Sequence, residues 1–260
     1  DPLVIFDDAI ENVDDETETD HFDNIQSTNW RSVRWKLPAK EYTGDNHAPG
    51  WRLEMRTLEM QLTDFENAAY ILCVILLSRA IQAKHLNFYM PVSYVDENFR
   101  KAVIARACVE QKFYMRREAL TSESMKIPDI RGDITIDEMT LDEIFNGSQD
   151  RGFKGILPVI REYLRDLACD DVTMAKIEPY LTLLARRARG ELPTTAQFLR
   201  QKLEEHPEYK GDGNLSCAIA DYLISLSEDI GMGRVGCEEL VGTDVVIPDV
   251  TPCDTSAVYL

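Results

Sequence analysis

One abrupt change of hydrophobic period constrains the fold more than any other feature of the sequence. Residues 50–60 (GWRLEMRTLEM) alternate apolar and charged side chains, which is the period of a half-buried strand. Thr63, with Glu66 three residues later, has the capping-box pattern that begins a helix. The apolar run 68–77 follows at once. The sequence therefore predicts a strand joined to a long buried helix that ends near His85.

Most of the sequence after this helix has helical patterns. Thr140 with Glu143 forms another capping box, and Pro179 is expected to interrupt or kink a later helix. The other predicted helices are 97–117 after an Asp96 cap, 157–167, 172–189 with Gly190 as its stop, 195–205 and 216–230.

These elements predict an α+β protein with four regions. Residues 1–20 are rich in carboxylates and predict an acidic flexible segment. Residues 21–62 are expected to add loop and strand to an antiparallel sheet, and residues 63–240 to cover that sheet with helices. Residues 241–260 carry prolines among β-branched residues and predict an extended tail.

The charge of the chain argues against two classes of partner. Acidic residues outnumber basic ones by 46 to 28, giving a net charge of -18, which disfavours nucleic acid and anionic membrane surfaces. The longest apolar run is about half as long as a bilayer crossing requires. The six cysteines form no CxxC pair, and the first residues lack a signal peptide. We therefore expect reduced thiols and a cytoplasmic protein.

Arg52, Glu54 and Arg56 are the residues that point most directly to chemistry. Side chains two apart on a strand lie roughly 7 Å apart on one face, so a carboxylate is flanked there by two guanidinium groups. One interpretation is a solvated sheet face with weak ion pairs. The other is a surface that handles oxyanions, with a carboxylate ligand for magnesium and arginines that bind phosphate oxygens.

Arg186, Arg187 and Arg189 form a second basic cluster, at the predicted C-terminus of a helix. The helix dipole accounts for basic residues at this position. Contact with a nucleotide is the other interpretation.

Five stretches carry a resemblance to a known family. They are DHFDNIQSTNW (20–30), GWRLEMRTLEMQLTDFENAAY (50–70), PVSYVDEN (91–98), RARGELPT (187–194) and HPEYKGD (206–212). In order and spacing they resemble the catalytic subunit of eukaryotic glutamate-cysteine ligase, from about residue 15 to about residue 215. The resemblance implies a glutamine-synthetase-like sheet, and ATP and magnesium as cofactors. It also implies an ATP-dependent ligation of glutamate to cysteine, the first step of glutathione biosynthesis.

The resemblance also implies roles for individual residues. Glu54 matches a glutamate that helps to hold magnesium, and Arg56 matches a catalytic arginine near the phosphates and the reacting carboxyl group. Trp30 matches a tryptophan of the pocket for the acceptor cysteine, although a core aromatic is an equal alternative. The residues placed near Trp30 in that pocket are Ser27, Thr28 and Asn29.

Members of this family are considerably longer than 260 residues. The resemblance therefore implies that this chain is the C-terminal part of an enzyme whose N-terminal part is a partner, with a regulatory subunit as a further candidate partner. Two alternatives remain open at this stage. One is a non-catalytic helical interaction module with an acidic arm, and the other is a related carboxylate-amine ligase with another acceptor.

Overall fold

A computed structural model describes Asp14, Phe22 and residues 32–120 and 134–243. The chain divides into two compact units, Asp1–Met60 and Gln61–Leu260.

The first unit contains an antiparallel pair of strands, β1 (Val33–Lys36) and β2 (Arg52–Met55). Arg34 lies opposite Glu54 in the register, and the backbone N–H of Arg56 donates to the carbonyl of Ser32, which extends the ladder by one residue. The predicted strand is confirmed at 52–55. Strand β2 is shorter than the alternating stretch 50–60 of the sequence, because its pairing with β1 ends at Arg56.

The second unit is mostly helical. Its helices are α1 (Asp64–Lys84), α2 (Val92–Ala102), α3 (Ala107–Glu110), α4 (Leu141–Asn146), α5 (Ile156–Asp166), α6 (Asp171–Ala188), α7 (Thr195–Glu204), α8 (Cys217–Gly231) and α9 (Glu238–Val241). A 3-10 turn (Arg117–Leu120) follows strand β3 (Phe113–Arg116), which pairs antiparallel with β4 (Ile136–Met139).

Capping boxes begin three of these helices. At α1 the Glu66 N–H donates to Thr63 Oγ1 at 3.2 Å, and the Thr63 N–H donates back to Glu66 Oε2 at 3.1 Å. The same reciprocal bonds precede α4 at Thr140 and α7 at Thr194. The predicted start of α1 and its end before His85, which takes a left-handed conformation (φ 50), are both confirmed.

The core of the second unit forms where α1 packs against α5 and α6. Phe65 of α1 stacks on Tyr180 of α6, with ring centroids 4.7 Å apart. Helix α6 continues across Pro179, where the sequence predicted an interruption or kink. The largest fully buried apolar side chains are Met139, Leu157, Ile160, Leu181, Leu183, Ile219 and Leu240.

The prediction of one helix over 97–117 is wrong. Helix α2 ends at Ala102, and after the short α3 the chain enters β3. Asn98 explains the reversal, because its side-chain amide accepts from the Tyr114 N–H at 2.7 Å and donates to the Tyr114 carbonyl at 2.8 Å. This clamp joins residues 16 apart in sequence, so a tertiary contact overrides the helical pattern.

Helices and antiparallel strands therefore occur together in the described residues, in agreement with the predicted α+β class. The strands form two separate two-stranded sheets, and β3–β4 lies in a region predicted to be helical. In the part of the chain that the structure describes, no helix combines the length and the apolar character that crossing a membrane requires.

Candidate functional site

One face of the β1–β2 pair gathers five charged side chains. Alternate residues of a strand share a face, and the register places Arg34 opposite Glu54 and Lys36 opposite Arg52. With Arg56, these residues make up what we name the cationic face. It holds four basic groups and one carboxylate.

Glu54 lies at the centre of the cationic face. Its Oε2 accepts hydrogen bonds from Lys36 Nζ at 2.6 Å and Arg34 Nη2 at 2.9 Å, and its Oε1 accepts from Arg56 Nε at 2.6 Å. The hydrogen bonds from Lys36, and next from Arg56, lower the pKa of the Glu54 carboxyl from 4.5 to about 2. Glu54 is therefore ionised at neutral pH.

The cationic face can receive a ligand that carries several anionic oxygens. Among the described residues, four basic side chains and one carboxylate share this face, a composition that favours anionic ligands. The side chains of Arg34 and Arg56 are about a third exposed, and each carries a guanidinium group with several N–H donors. Planar guanidinium groups bind phosphate and carboxylate oxygens with strong, charge-assisted hydrogen bonds.

Comparison with known proteins finds relatives that share one name. The family model for glutamate-cysteine ligase matches residues 1–230. The chain is 38% identical to the glutamate-cysteine ligase catalytic subunit of Rattus norvegicus, over 94% of this chain. It is 40% identical to the glutamate-cysteine ligase of Dictyostelium discoideum over 86% of this chain, and 41% identical to that of Schizosaccharomyces pombe over 82%.

The chain belongs to the glutamate-cysteine ligase family. The resemblance found in the sequence is thereby confirmed. The chain spans 38% of the length of the rat relative, 34% of the Dictyostelium relative and 30% of the Schizosaccharomyces relative.

The stretch GWRLEMR (50–56), which carries part of the resemblance, contains two of the predicted site residues, and the structure brings them into contact. Glu54 and Arg56 share the cationic face and form a direct ion pair. The four residues predicted for the acceptor pocket, Ser27, Thr28, Asn29 and Trp30, lie outside the described residues. Their roles stay predictions.

Arg34 and Lys36 are functional candidates that the sequence analysis missed. They alternate with Trp35 in the stretch VRWK, so a period-two reading of residues 33–36 would have placed both on one face. Their proximity to Glu54 depends on strand pairing across 15 intervening residues, Leu37 to Trp51, and no local pattern reports that pairing.

The opposite face of the β1–β2 pair is apolar and exposed. Trp35 and Trp51 have 49% and 57% of their surface exposed, and their rings meet edge to face at 6.4 Å. Leu53 and Met55 are also exposed on β2. The two faces of the pair thus differ sharply, with cations on one and tryptophans on the other.

Proposed function

We propose that the protein to which this chain contributes joins the γ-carboxyl group of glutamate to the amine of cysteine, with ATP as the energy source. The observation that carries this proposal is the cationic face, in which an ionised Glu54 is held between Arg34, Lys36 and Arg56. Membership of the glutamate-cysteine ligase family supports the choice of substrates. The product, γ-glutamylcysteine, belongs to glutathione biosynthesis.

The reaction needs activation because a carboxylate does not condense with an amine in water. The γ-carboxylate of glutamate attacks the terminal phosphorus of ATP and displaces ADP, which yields γ-glutamyl phosphate. The cysteine amine then attacks the acyl carbon, a proton leaves the nitrogen, and inorganic phosphate departs as the amide bond forms. Negative charge develops on phosphoryl oxygens in the first step and on the acyl oxygen in the second.

In this proposal Arg56 is the catalytic residue of the cationic face. Its guanidinium pairs with Glu54 through Nε, and as a fixed cation it would stabilise the oxygens on which charge develops. Arg34 and Lys36 would orient the same phosphoryl group. Most of the rate enhancement for phosphoryl transfer comes from such positioning and charge neutralisation.

Glu54 fits a magnesium ion as one ligand of a shared site. Its carboxylate is ionised, and carboxylate oxygen is a donor that magnesium prefers. Both oxygens accept hydrogen bonds in the structure, so Lys36 or a neighbouring arginine would have to release one of them. Magnesium would neutralise charge on the transferred phosphoryl group. Among the described residues no group of three or more His, Cys, Asp and Glu side chains could hold a metal ion, so we assign the other ligands to the rest of the enzyme.

We extend the proposal to the sheet, the cysteine pocket and the protein partners of the enzyme. Residues 21–62 would contribute β1–β2 to a glutamine-synthetase-like sheet, with residues 63–240 as the helical region that covers it. Trp30 would form a wall of the cysteine pocket. The remainder of the enzyme, and a regulatory subunit, would be its protein partners in the cytoplasm.

The test is the magnesium dependence of the complete enzyme. Glu54→Gln preserves shape and removes a charged oxygen ligand, so the magnesium concentration for half-maximal rate should rise and turnover should fall. The control is Glu41→Gln, which alters an exposed carboxylate in the loop between β1 and β2. A magnesium dependence unchanged in Glu54→Gln would refute the metal assignment. Failure of the wild-type enzyme to bind ATP with magnesium would favour the interaction module instead.

A further inference from the structure

Two dipeptides of the second unit have the composition at which a protein can rearrange its own backbone. Asn146–Gly147 is the one Asn-Gly pair in the chain, and Asp212–Gly213 is the one Asp-Gly pair. In such a pair the backbone nitrogen of glycine can attack the side-chain carbonyl carbon of the preceding residue, because glycine has no Cβ to obstruct the approach. The attack needs an available nitrogen and a side chain that can move, so the surrounding structure decides which pair reacts.

Hydrogen bonds restrain the first pair at the end of α4. Asn146 Nδ2 donates to Asp142 Oδ1 at 2.7 Å and to the carbonyl of Ala185 at 3.1 Å. The N–H of Gly147, whose nitrogen would be the nucleophile, donates to the carbonyl of Glu143 at 3.0 Å. Both reacting groups are therefore engaged, and the side-chain amide cannot turn toward the nitrogen without losing these bonds.

The second pair lies in the loop between α7 and α8, where the surroundings are open. Residues 211–218 are all exposed, and a Cβ added at Gly211 or Gly213 would have no atom within 4 Å. The N–H of Gly213 donates no hydrogen bond to any residue that the structure describes. The nitrogen of Gly213 is therefore available, and no packed neighbour limits the movement of the Asp212 side chain.

One hydrogen bond directs the Asp212 carboxyl group back toward the peptide bond that follows it. Its Oδ1 accepts from the N–H of Asn214 at 3.0 Å. The ring closed by this bond contains Cγ, Cβ, Cα and the carbonyl carbon of Asp212 and the nitrogen of Gly213. Those same atoms form a succinimide ring once the nitrogen has bonded to Cγ. The turn thus favours the fold of the side chain that cyclisation requires.

We propose that Asp212 is a site of spontaneous isomerisation, at which the bond to Gly213 becomes an isoaspartyl linkage. The nitrogen of Gly213 attacks Cγ of the carboxyl group in its protonated form. The N–Cγ bond forms, a C–O bond breaks, and water leaves with the amide proton, which yields the succinimide. This inference is independent of the proposed function.

Hydrolysis of the succinimide then completes the reaction without a cofactor. Addition of water at Cγ restores aspartate. Addition of water at the backbone carbonyl carbon leaves the main chain running through Cβ and Cγ, with a free carboxylate on Cα. One water leaves and one is added, so the mass of the protein does not change.

The isoaspartyl linkage would alter the segment that leads into α8. It adds a carbon atom to the main chain, and the turn closed by the Asn214 N–H cannot persist in its present form. Ser216 lies two residues further on and caps α8 by accepting from the N–H of Ile219 at 3.3 Å. The new carboxylate would also make this exposed loop a substrate for an enzyme that methylates isoaspartyl carboxyl groups.

Prolonged incubation of the complete enzyme at neutral pH and physiological temperature tests the proposal. Trypsin cleaves after Lys210 and Arg234 and releases the peptide 211–234. This peptide should divide into two chromatographic peaks of equal mass, and electron-transfer fragmentation should place isoaspartate at position 212. Asp221 and Asp229 of the same peptide lie within α8 and should remain aspartate. The new peak should be absent from Asp212→Glu, because a glutamate side chain closes the larger imide ring much more slowly.

The denatured enzyme is the matched control for the role of the structure. In the unfolded chain Asn146 should react before Asp212, because an amide is a better acceptor for the attacking nitrogen than an ionised carboxylate. In the folded chain three hydrogen bonds at Asn146 and Gly147 must open first, which should slow that reaction by about 10²-fold. Folding should therefore reverse the order of the two sites.

Each outcome decides the question. Isoaspartate at position 212 of the folded enzyme, with Asn146 intact, supports the proposal. Its absence from the folded enzyme overturns the proposal, whatever the denatured chain does. Deamidation of Asn146 in the folded enzyme at the rate of the denatured chain would show that the hydrogen bonds do not select the site. Ligase activity enters none of these measurements, so failure of the proposed function would leave this test intact.

Discussion

Replacing Arg187 with methionine should destabilise the second unit severely. The variant keeps a long side chain but leaves Glu66, which has no exposed surface, without its counter-charge. Removing one partner of a buried pair typically costs about 3–5 kcal/mol. For a unit of this size each kcal/mol lowers the thermal midpoint by roughly 2–4 °C, so the expected shift is about 6–20 °C.

Differential scanning calorimetry of the complete enzyme measures this shift. Arg100→Met is the matched control, because Arg100 forms an ion pair with Glu97 at 3.2 Å while 74% of its side chain is exposed. Its midpoint should stay at that of wild type. Adding Glu66→Gln to Arg187→Met should recover part of the loss, since the unpaired charge is gone. Equal shifts in Arg187→Met and Arg100→Met would refute the reasoning.

Three further predictions concern other residues. Arg56→Lys keeps the charge but loses the planar guanidinium, so steady-state kinetics of the complete enzyme should show turnover lower by about 10²-fold or more; wild-type turnover would contradict a catalytic role. Trp30→Ala should raise the KM for cysteine much more than that for ATP, and equal effects on all substrates would place Trp30 in the core instead. Burial raises the pKa of the Cys73 thiol to about 11, whereas Cys217 is exposed, so iodoacetamide at pH 8 should alkylate Cys217 in the folded protein and spare Cys73, as mass spectrometry of the peptides would show.

Local signals made the starts of α1 and α4 predictable. The Thr63 and Thr140 capping boxes act over three residues, so the sequence contains everything that is needed to recognise them. The β3–β4 pair was missed because the clamp between Asn98 and Tyr114 exists only once α2 and β3 are packed together. Propensity within one segment carries no information about such a contact.

The sequence also pointed to part of the candidate site but not to all of it. Alternation on β2 and the family motif both pointed to Glu54 and Arg56, whereas Arg34 reaches Glu54 only through strand pairing. The burial of Arg187 could have been expected, because Leu183 and Leu184 lie four and three residues before it on one face of α6. Its partner Glu66 is 121 residues away, so no sequence pattern identifies the pair.

The tryptophans of the β1–β2 pair also decide what optical spectroscopy can observe. Of the three tryptophans in the chain, Trp35 and Trp51 lie on the apolar face and Trp30 precedes β1, so all three fall before Gln61. Indole emission from this chain therefore originates entirely in the strand-bearing unit, and the nine helices described after it carry no tryptophan. Unfolding of the helical unit should appear in far-ultraviolet circular dichroism and in tyrosine absorbance, and a fluorescence melt that precedes the ellipticity melt would show that the two units lose structure separately.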